Sequence, residues 1–200
     1  VALNVQPYQI IAGPAKVYVA PVGTPFPAID SEHGVDVDFG TALWTALGHT
    51  DGGVKVAHAQ TIVPLRTDQV TAAVKMVRSE EDLEITFSLA ELTLEHYAVV
   101  LNQVGAVTSG TGFKKINLYR GGSGVETFAL LVRGDQLSPY GPYNLQYEVP
   151  NAYQSGAPDT EYTKDAKALL ACSFMAIAAL AFTPGTADSD IFGVLRAGTA

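Results

Sequence analysis

Cysteine is nearly absent from this 200-residue chain: Cys172 stands alone. An intrachain disulfide is therefore excluded, and so is a cysteine metal cluster. A lone thiol suits a reducing cytoplasm, or indifference to redox. Charge is scarce too, with 16% of residues ionised against about 25% in an ordinary soluble domain. The basic kind is scarcer, 12 against 20 acidic, for a formal net charge of −8. That balance argues against general affinity for nucleic acid or anionic membrane. Long apolar runs are missing as well. The longest, residues 168–182, is interrupted by Ser173 and falls short of the roughly 20 residues a spanning helix needs. Residues 1–11 carry no basic flank and do not read as a signal peptide. What the chain does have is apolar content, 48%, enough for one core and too much for intrinsic disorder. So oily a chain with so few charges is expected to hide part of its surface against other protein.

Most of the periodicity is that of strands. Leu83-Glu84-Ile85-Thr86-Phe87-Ser88-Leu89 alternates without a break, as a strand with one buried face should. Val70, Ala72, Val74 and Met76 fall on one face of residues 69–78, and Ser79-Glu80-Glu81-Asp82 is expected to turn between the two runs. A second hairpin is expected from 113–120 to 125–133 across Gly121-Gly122-Ser123-Gly124, whose glycines supply positive φ. Further strands are expected at 15–20, 54–58, 61–66, 145–149 and 167–178. The last is apolar on both faces, with Leu169, Met175 and Ile177 against Leu170, Cys172 and Phe174. It belongs at the centre of a sheet, or under a neighbouring subunit. One helix is expected over 91–104, where Leu94, Tyr97, Ala98, Leu101 and Val104 recur at helical spacing before Gly105. Ser88 and Glu91 have capping-box spacing, and Glu91 and Glu95 suit the positive end of the helix dipole. Residues 21–40, 138–143 and 150–160 read as loops, the first carrying Asp30, Glu32, Asp36 and Asp38. The fold class is mainly β, with one flanking amphipathic helix and long inter-strand loops.

No arrangement of residues spells a reaction. Of His33, His49, His58 and His96, only His49 and His58 with Asp51 suggest a metal, and their spacing matches no tight site. The acidic cluster at 30–38 lacks the pattern of a calcium loop. Glu80 and Glu81 fall in the expected turn, where nothing desolvates them. Ser123 has Gly121 before it but Val125 after it, so the nucleophile elbow fails. Gly110-Thr111-Gly112-Phe113-Lys114 is too short to cradle phosphate. Cys172, in an apolar strand, reads as a packing thiol. Arg133-Gly134-Asp135 spells an adhesion tripeptide, and a strand end running into a glycine turn accounts for it. The expectation is a protein that is not an enzyme, with no cofactor, no metal and no catalytic residue.

Four segments in order carry a family likeness. They are Ala15-Lys16-Val17-Tyr18-Val19-Ala20-Pro21-Val22-Gly23 with its following loop, and Trp44-Thr45-Ala46-Leu47-Gly48-His49-Thr50-Asp51-Gly52-Gly53-Val54. Residues 70–78 and the passage 83–93 complete the pattern. With the stretches between them, up to Leu101, they span roughly half the chain. In this the sequence resembles the major tail tube proteins of long, non-contractile-tailed, siphovirus-type bacteriophages. The resemblance implies one domain over 1–200, a β-sandwich or barrel-forming fold. Its first strand is 14–23, its loop and stacking region 24–60, its middle strands 61–90 and its helix 91–104. Later strands fill 113–182, and 183–200 is a C-terminal arm or tail.

It also implies homohexameric rings stacked into a virion tail tube, assembled in the host cytoplasm. Double-stranded DNA would pass through without sequence-specific binding. Implied partners are the chain itself and the tail terminator, tape measure and distal tail proteins, with no membrane binding. Asp30, Glu32, Asp36, Asp38, Trp44, His49 and Asp51 fall in the segments implied to contact the next ring. Thr71, Lys75, Glu84, Thr86 and Ser88 form the polar faces of the central hairpin, looking into the channel or out to solvent. Lys75 and Glu84 are expected to offset each other across its strands. Two other readings compete: a head–tail connector or tail terminator that forms a single ring, and a carbohydrate-binding sandwich with Tyr140, Tyr143, Tyr147 and Tyr153 as a stacking platform.

Overall fold

The computed structural model describes residues 9–29, 43–103, 107–118, 124–178 and 192–199. Strand β1 (Ala15–Pro21) and the two-residue β2 (Thr45–Ala46) precede two long strands, β3 (Thr50–Thr67) and β4 (Val70–Leu89). The helix α1 (Leu94–Val100) follows, then β5 (Val107–Gly110), β6 (Phe113–Ile116), β7 (Phe128–Gly134), β8 (Leu145–Gln154), β9 (Leu170–Ala176) and β10 (Val194–Ala197). The main sheet is antiparallel in the order β2-β1-β7-β8-β9-β4-β3. Strand β8 takes β9 at Ala152–Gln154 and β10 at Leu145–Glu148. Pro150, which has no N–H to donate, lies between the two pairings, where a missing donor costs least.

Inward residues of β1, β4, β7, β8 and β9 make one core that includes Val17, Ile85, Leu130, Val149, Leu170 and Phe174. Phe87 and Phe174 stack across β4 and β9 with ring centroids 5.9 Å apart. The expectation for residues 167–178 holds in part. Strand β9 sits between β8 and β4, with Leu170, Cys172, Phe174 and Ala176 buried, but its other face carries the exposed Ala171 and the half-buried Ser173 and Met175.

Both expected hairpins are corrected. Residues 70–89 form one strand, so Ser79-Glu80-Glu81-Asp82 is not a turn. The turn is at Asp68-Gln69, flanked by the pair Thr67 and Val70, and the partner of β4 is β3, which merges the expected strands 54–58 and 61–66. Ser79 and Asp82 are residues that turns favour, but 79–82 hold no glycine, asparagine or proline, and Glu80, Glu81 and Asp82 pair with Thr61, Gln60 and Ala59 of β3 instead. Strand β6 pairs with β5 rather than β7, through Thr111 and Gly112 at φ 82°. Strand β7 lies between β1 and β8, and the turn residues 121–123 lie outside the described residues.

The helix is shorter than 91–104. Thr93, not Ser88, caps it, its hydroxyl accepting the His96 N–H at 3.2 Å, while Ser88 stays in β4. The sequence offers two polar starts, and the longer strand takes the first. Leu101 closes the last turn, its N–H donating to the Tyr97 carbonyl at 2.8 Å, and Asn102 follows at φ 54°. That asparagine supplies the left-handed residue expected of Gly105, and 104–106 lie outside the described residues. Ala98 and Val100 are the buried face of α1. Residues 150–154, expected in a loop, continue β8, and within 183–200 a four-residue strand, β10, is ordered.

The core residue Phe174 is fully buried, so Phe174→Ala is expected to cost about 3–5 kcal/mol. Urea unfolding of the unassembled subunit measures it, and a loss under about 1 kcal/mol would contradict this account of the core.

Candidate assembly surfaces

Strand β9 covers β4 only from Glu84 to Leu89. Beyond that, β3 and β4 pair with each other alone among the described residues and leave the body as a two-stranded arm. The arm holds residues 58–67 of β3 and 70–83 of β4, and the shorter strand gives it a length of about 33 Å. Along it Ile62 stands opposite Arg78 and Thr61 opposite Glu80, so Ser79 is an extra residue, a β-bulge. The bulge reverses the alternation of β4. Residues opposite one another share a face, so Lys75 and Val77 lie with Glu80, Asp82, Glu84, Thr86 and Ser88. The other face carries Met76, then Arg78 and Glu81, then Leu83, Ile85, Phe87 and Leu89, with Ile62, Gln60 and His58 opposite on β3. At the body this second face is core. On the arm it runs out uncovered, with Ile62 55% and Met76 62% exposed. Val63, Leu65 and Val77 are exposed on the first face. The outer edge of β3 pairs with nothing among the described residues, and Pro64, opposite Met76, is tolerated there because an edge strand can lose a donor.

The singled-out residues fall in several places. Thr71 and Lys75 lie on the arm, with the Thr71 carbonyl accepting from Arg66. Glu84, Thr86 and Ser88 lie at its root beside β9, where Ser173 Oγ donates to Glu84 Oε1 at 2.6 Å. Lys75 and Glu84 share a strand and do not face each other, since Lys75 stands opposite Leu65 and Glu84 between Ala57 and Met175. The two sides of the expected hairpin are one strand, which removes the cross-strand pair. Asp30, Glu32, Asp36 and Asp38 lie outside the described residues. Trp44 pins the chain after β1, donating from Nε1 to the Pro25 carbonyl at 3.0 Å with its ring 5.2 Å from Phe26. His49 lies 3.5 Å from Glu91, and Asp51 pairs with Lys167 at 2.9 Å. His49 and Asp51 therefore lie beside the end of β4 at the root of the arm, and Trp44 lies against the chain after β1.

Chemistry remains sparse. No group of three His, Cys, Asp or Glu that would hold a metal occurs among the described residues. Burial pushes the Cys172 thiol up to about 12, so it stays protonated and unreactive. The four loop tyrosines do not form one platform. Tyr147 packs against the core, Tyr153 donates to the Met175 sulfur, and Tyr140 stands exposed in the loop before β8.

The adhesion tripeptide is also closed off. Arg133 is fully buried and donates to the Ala28 carbonyl and to Gln146 Oε1, each at 3.2 Å. Gln146 Nε2 donates to the Pro27 carbonyl at 3.0 Å and to Glu148 Oε1 at 2.5 Å. Arg196 on β10 meets the same carboxylate at 3.2 Å. This layer ties the chain after β1 and the strand β10 to the face of β7 and β8 away from the core.

A family model described as phage tail tube protein matches residues 1–187. The chain belongs to that family. Among solved structures, a chain from the sheath–tube complex of an extracellular contractile injection system in its extended state aligns over 99% of this chain and 95% of its own. The two are 12% identical with a TM-score of 0.39. No curated protein matches. The protein is thus a structural component of a bacteriophage tail.

Three features of this tail tube protein escape sequence reasoning: the continuous arm, the bulge at Ser79 and the buried Arg133–Gln146–Glu148 layer. The alternation break between Met76 and Leu83 is a signal for the bulge. Gln146 and Glu148 alternating with apolar neighbours look solvent-facing and are not. Glu148 is fully buried, and Oε2 lacks a hydrogen bond among the described residues. Burial pushes its pKa above the usual carboxylate range, opposed by Gln146 and Arg196. A raised native pKa means the native state favours the protonated acid. Stability from that group is therefore full below its unfolded value near 4.5 and declines as pH rises through the native value. Glu148→Gln removes the dependence. Thermal unfolding of both proteins, unassembled, should show the variant gaining on the wild type between pH 5 and pH 8. A constant or narrowing difference would overturn the assignment.

Proposed function

We propose that this tail tube protein forms homohexameric rings that stack into the tube of a long, non-contractile tail, through which DNA passes from head to host. The observation that carries the reading is the β3–β4 arm. It holds an unpaired strand edge and apolar side chains in water, and an isolated two-stranded ribbon is marginal on its own. A free edge invites pairing with another chain, and pairing around a ring leaves no edge open. Head-to-tail contacts that close by rotation give rings, and contacts that do not close give stacks. The family supplies the tail tube; the arm supports self-assembly as the way it is built.

On this reading Thr71 and Lys75 travel with the arm, and Glu84, Thr86 and Ser88 belong to the polar wall at its root. Asp30, Glu32, Asp36 and Asp38 keep the ring-contact role implied by their segment, as do Trp44, His49 and Asp51. A low basic content also suits a conduit, because a wall rich in Lys and Arg would hold the duplex through its phosphates. The tail terminator, tape measure and distal tail proteins are the partners that such a tube requires at its ends and within it. Assembly takes place in the host cytoplasm.

Purified protein at high concentration should form hollow tubes in negative stain. Ile62→Ser with Met76→Ser should leave the unassembled subunit within about 0.5 kcal/mol of wild type, as exposed positions allow, and abolish tubes. Single rings from the wild type would favour the terminator reading. A variant that assembles normally would remove the arm from the interface.

A further inference from the structure

At the root of the arm, on its polar face, a cleft of about 520 Å³ opens between Gly52-Gly53 and the chain leaving β8. Gly52 and Gly53, at φ 77° and 87°, are two extra residues of β3 between the pairs Asp51–Ser88 and Val54–Phe87. No atom lies within 4 Å of where either would carry a Cβ, so another backbone can approach. Gln154 lines the cleft and is 5% exposed. Its Oε1 accepts the Ser173 N–H at 3.1 Å, which fixes the amide's orientation. Its Nε2 is buried with no acceptor among the described residues, an omission that costs about 1–3 kcal/mol. A carbonyl or carboxylate that enters the cleft can accept from this N–H. The cleft also holds Lys55, exposed and without an ion pair among the described residues, while the nearby Asp51 is committed to Lys167.

We propose that this cleft receives the arm tip, Thr67-Asp68-Gln69, of a second copy of the chain, with Asp68 facing Lys55 and a tip oxygen accepting from Gln154. The proposal rests on the tube reading and names the contact that propagates it. Asp68 is exposed at the turn and makes no ion pair among the described residues. Cleft and tip are the two ends of the same hairpin, separated along β3 by about 40 Å. Copies displaced by that length place tip in cleft again and again. Such a contact is head-to-tail and does not close on itself, so it extends a stack.

Charge exchange tests it. Lys55→Glu and Asp68→Lys, both at exposed positions, should each raise the critical concentration for tube assembly at least about tenfold, with unassembled subunits melting as wild type. The double variant should return to within about threefold of wild type. Lys55→Cys with Asp68→Cys, oxidised after assembly, should give a ladder of covalent multimers on a denaturing gel. Single reversals that assemble as wild type, a double variant no better than the singles, or the absence of a ladder would each overturn the contact. Failure of the wild type to form any tube would instead defeat the tube reading.

Discussion

The constraint on which the structure depends is the hydrogen-bonding capacity of β3. Every peptide group along an edge strand needs a partner, and water satisfies it only while the edge stays solvated. Among the described residues β3 has a partner on its β4 side only, along its whole length. In the body β9 pairs the other edge of β4, and the core buries Phe174, Leu130 and Ile85. In the arm β4 too has β3 alone. The same two strands thus serve as core at one end and as unsatisfied surface at the other. On the proposed reading, association is the outlet.

Much of this was legible in the sequence, and the failures have physical causes. Strands β1, β7 and β9 were visible because their apolar alternation or continuity reflects fixed burial. The hairpin was misplaced because the pattern changes phase between Met76 and Leu83, and a charged run at the phase change resembles a turn. A single extra residue at Ser79 does the same work without turning the chain. Asp68-Gln69 gave little warning, since it has no glycine. Ser88 and Glu91 mimic a helix start, yet Ser88 is held by β3 and β9 on its two sides, and tertiary pairing outweighs a local cap worth about 1 kcal/mol. The buried Glu148 was invisible for a related reason. Alternation tells which residues share a face, and says nothing about whether a loop lies over that face.

The bulge deserves weight beyond its effect on register. Because the pairing skips Ser79, Met76 lies on the side that is core at Ile85 and Phe87; an unbulged strand would place Lys75 and Val77 there instead. On that side Gln60 and the ion-paired Arg78 and Glu81 stand between the core and Met76, so the apolar residues of the arm are set apart from the core. On the proposed reading a neighbouring copy that covers Ile62 and Met76 buries a patch of its own, separated from the core by charged side chains. Loss of that contact therefore leaves the subunit's core intact, because the core residues Ile85, Phe87 and Phe174 are buried within the single chain.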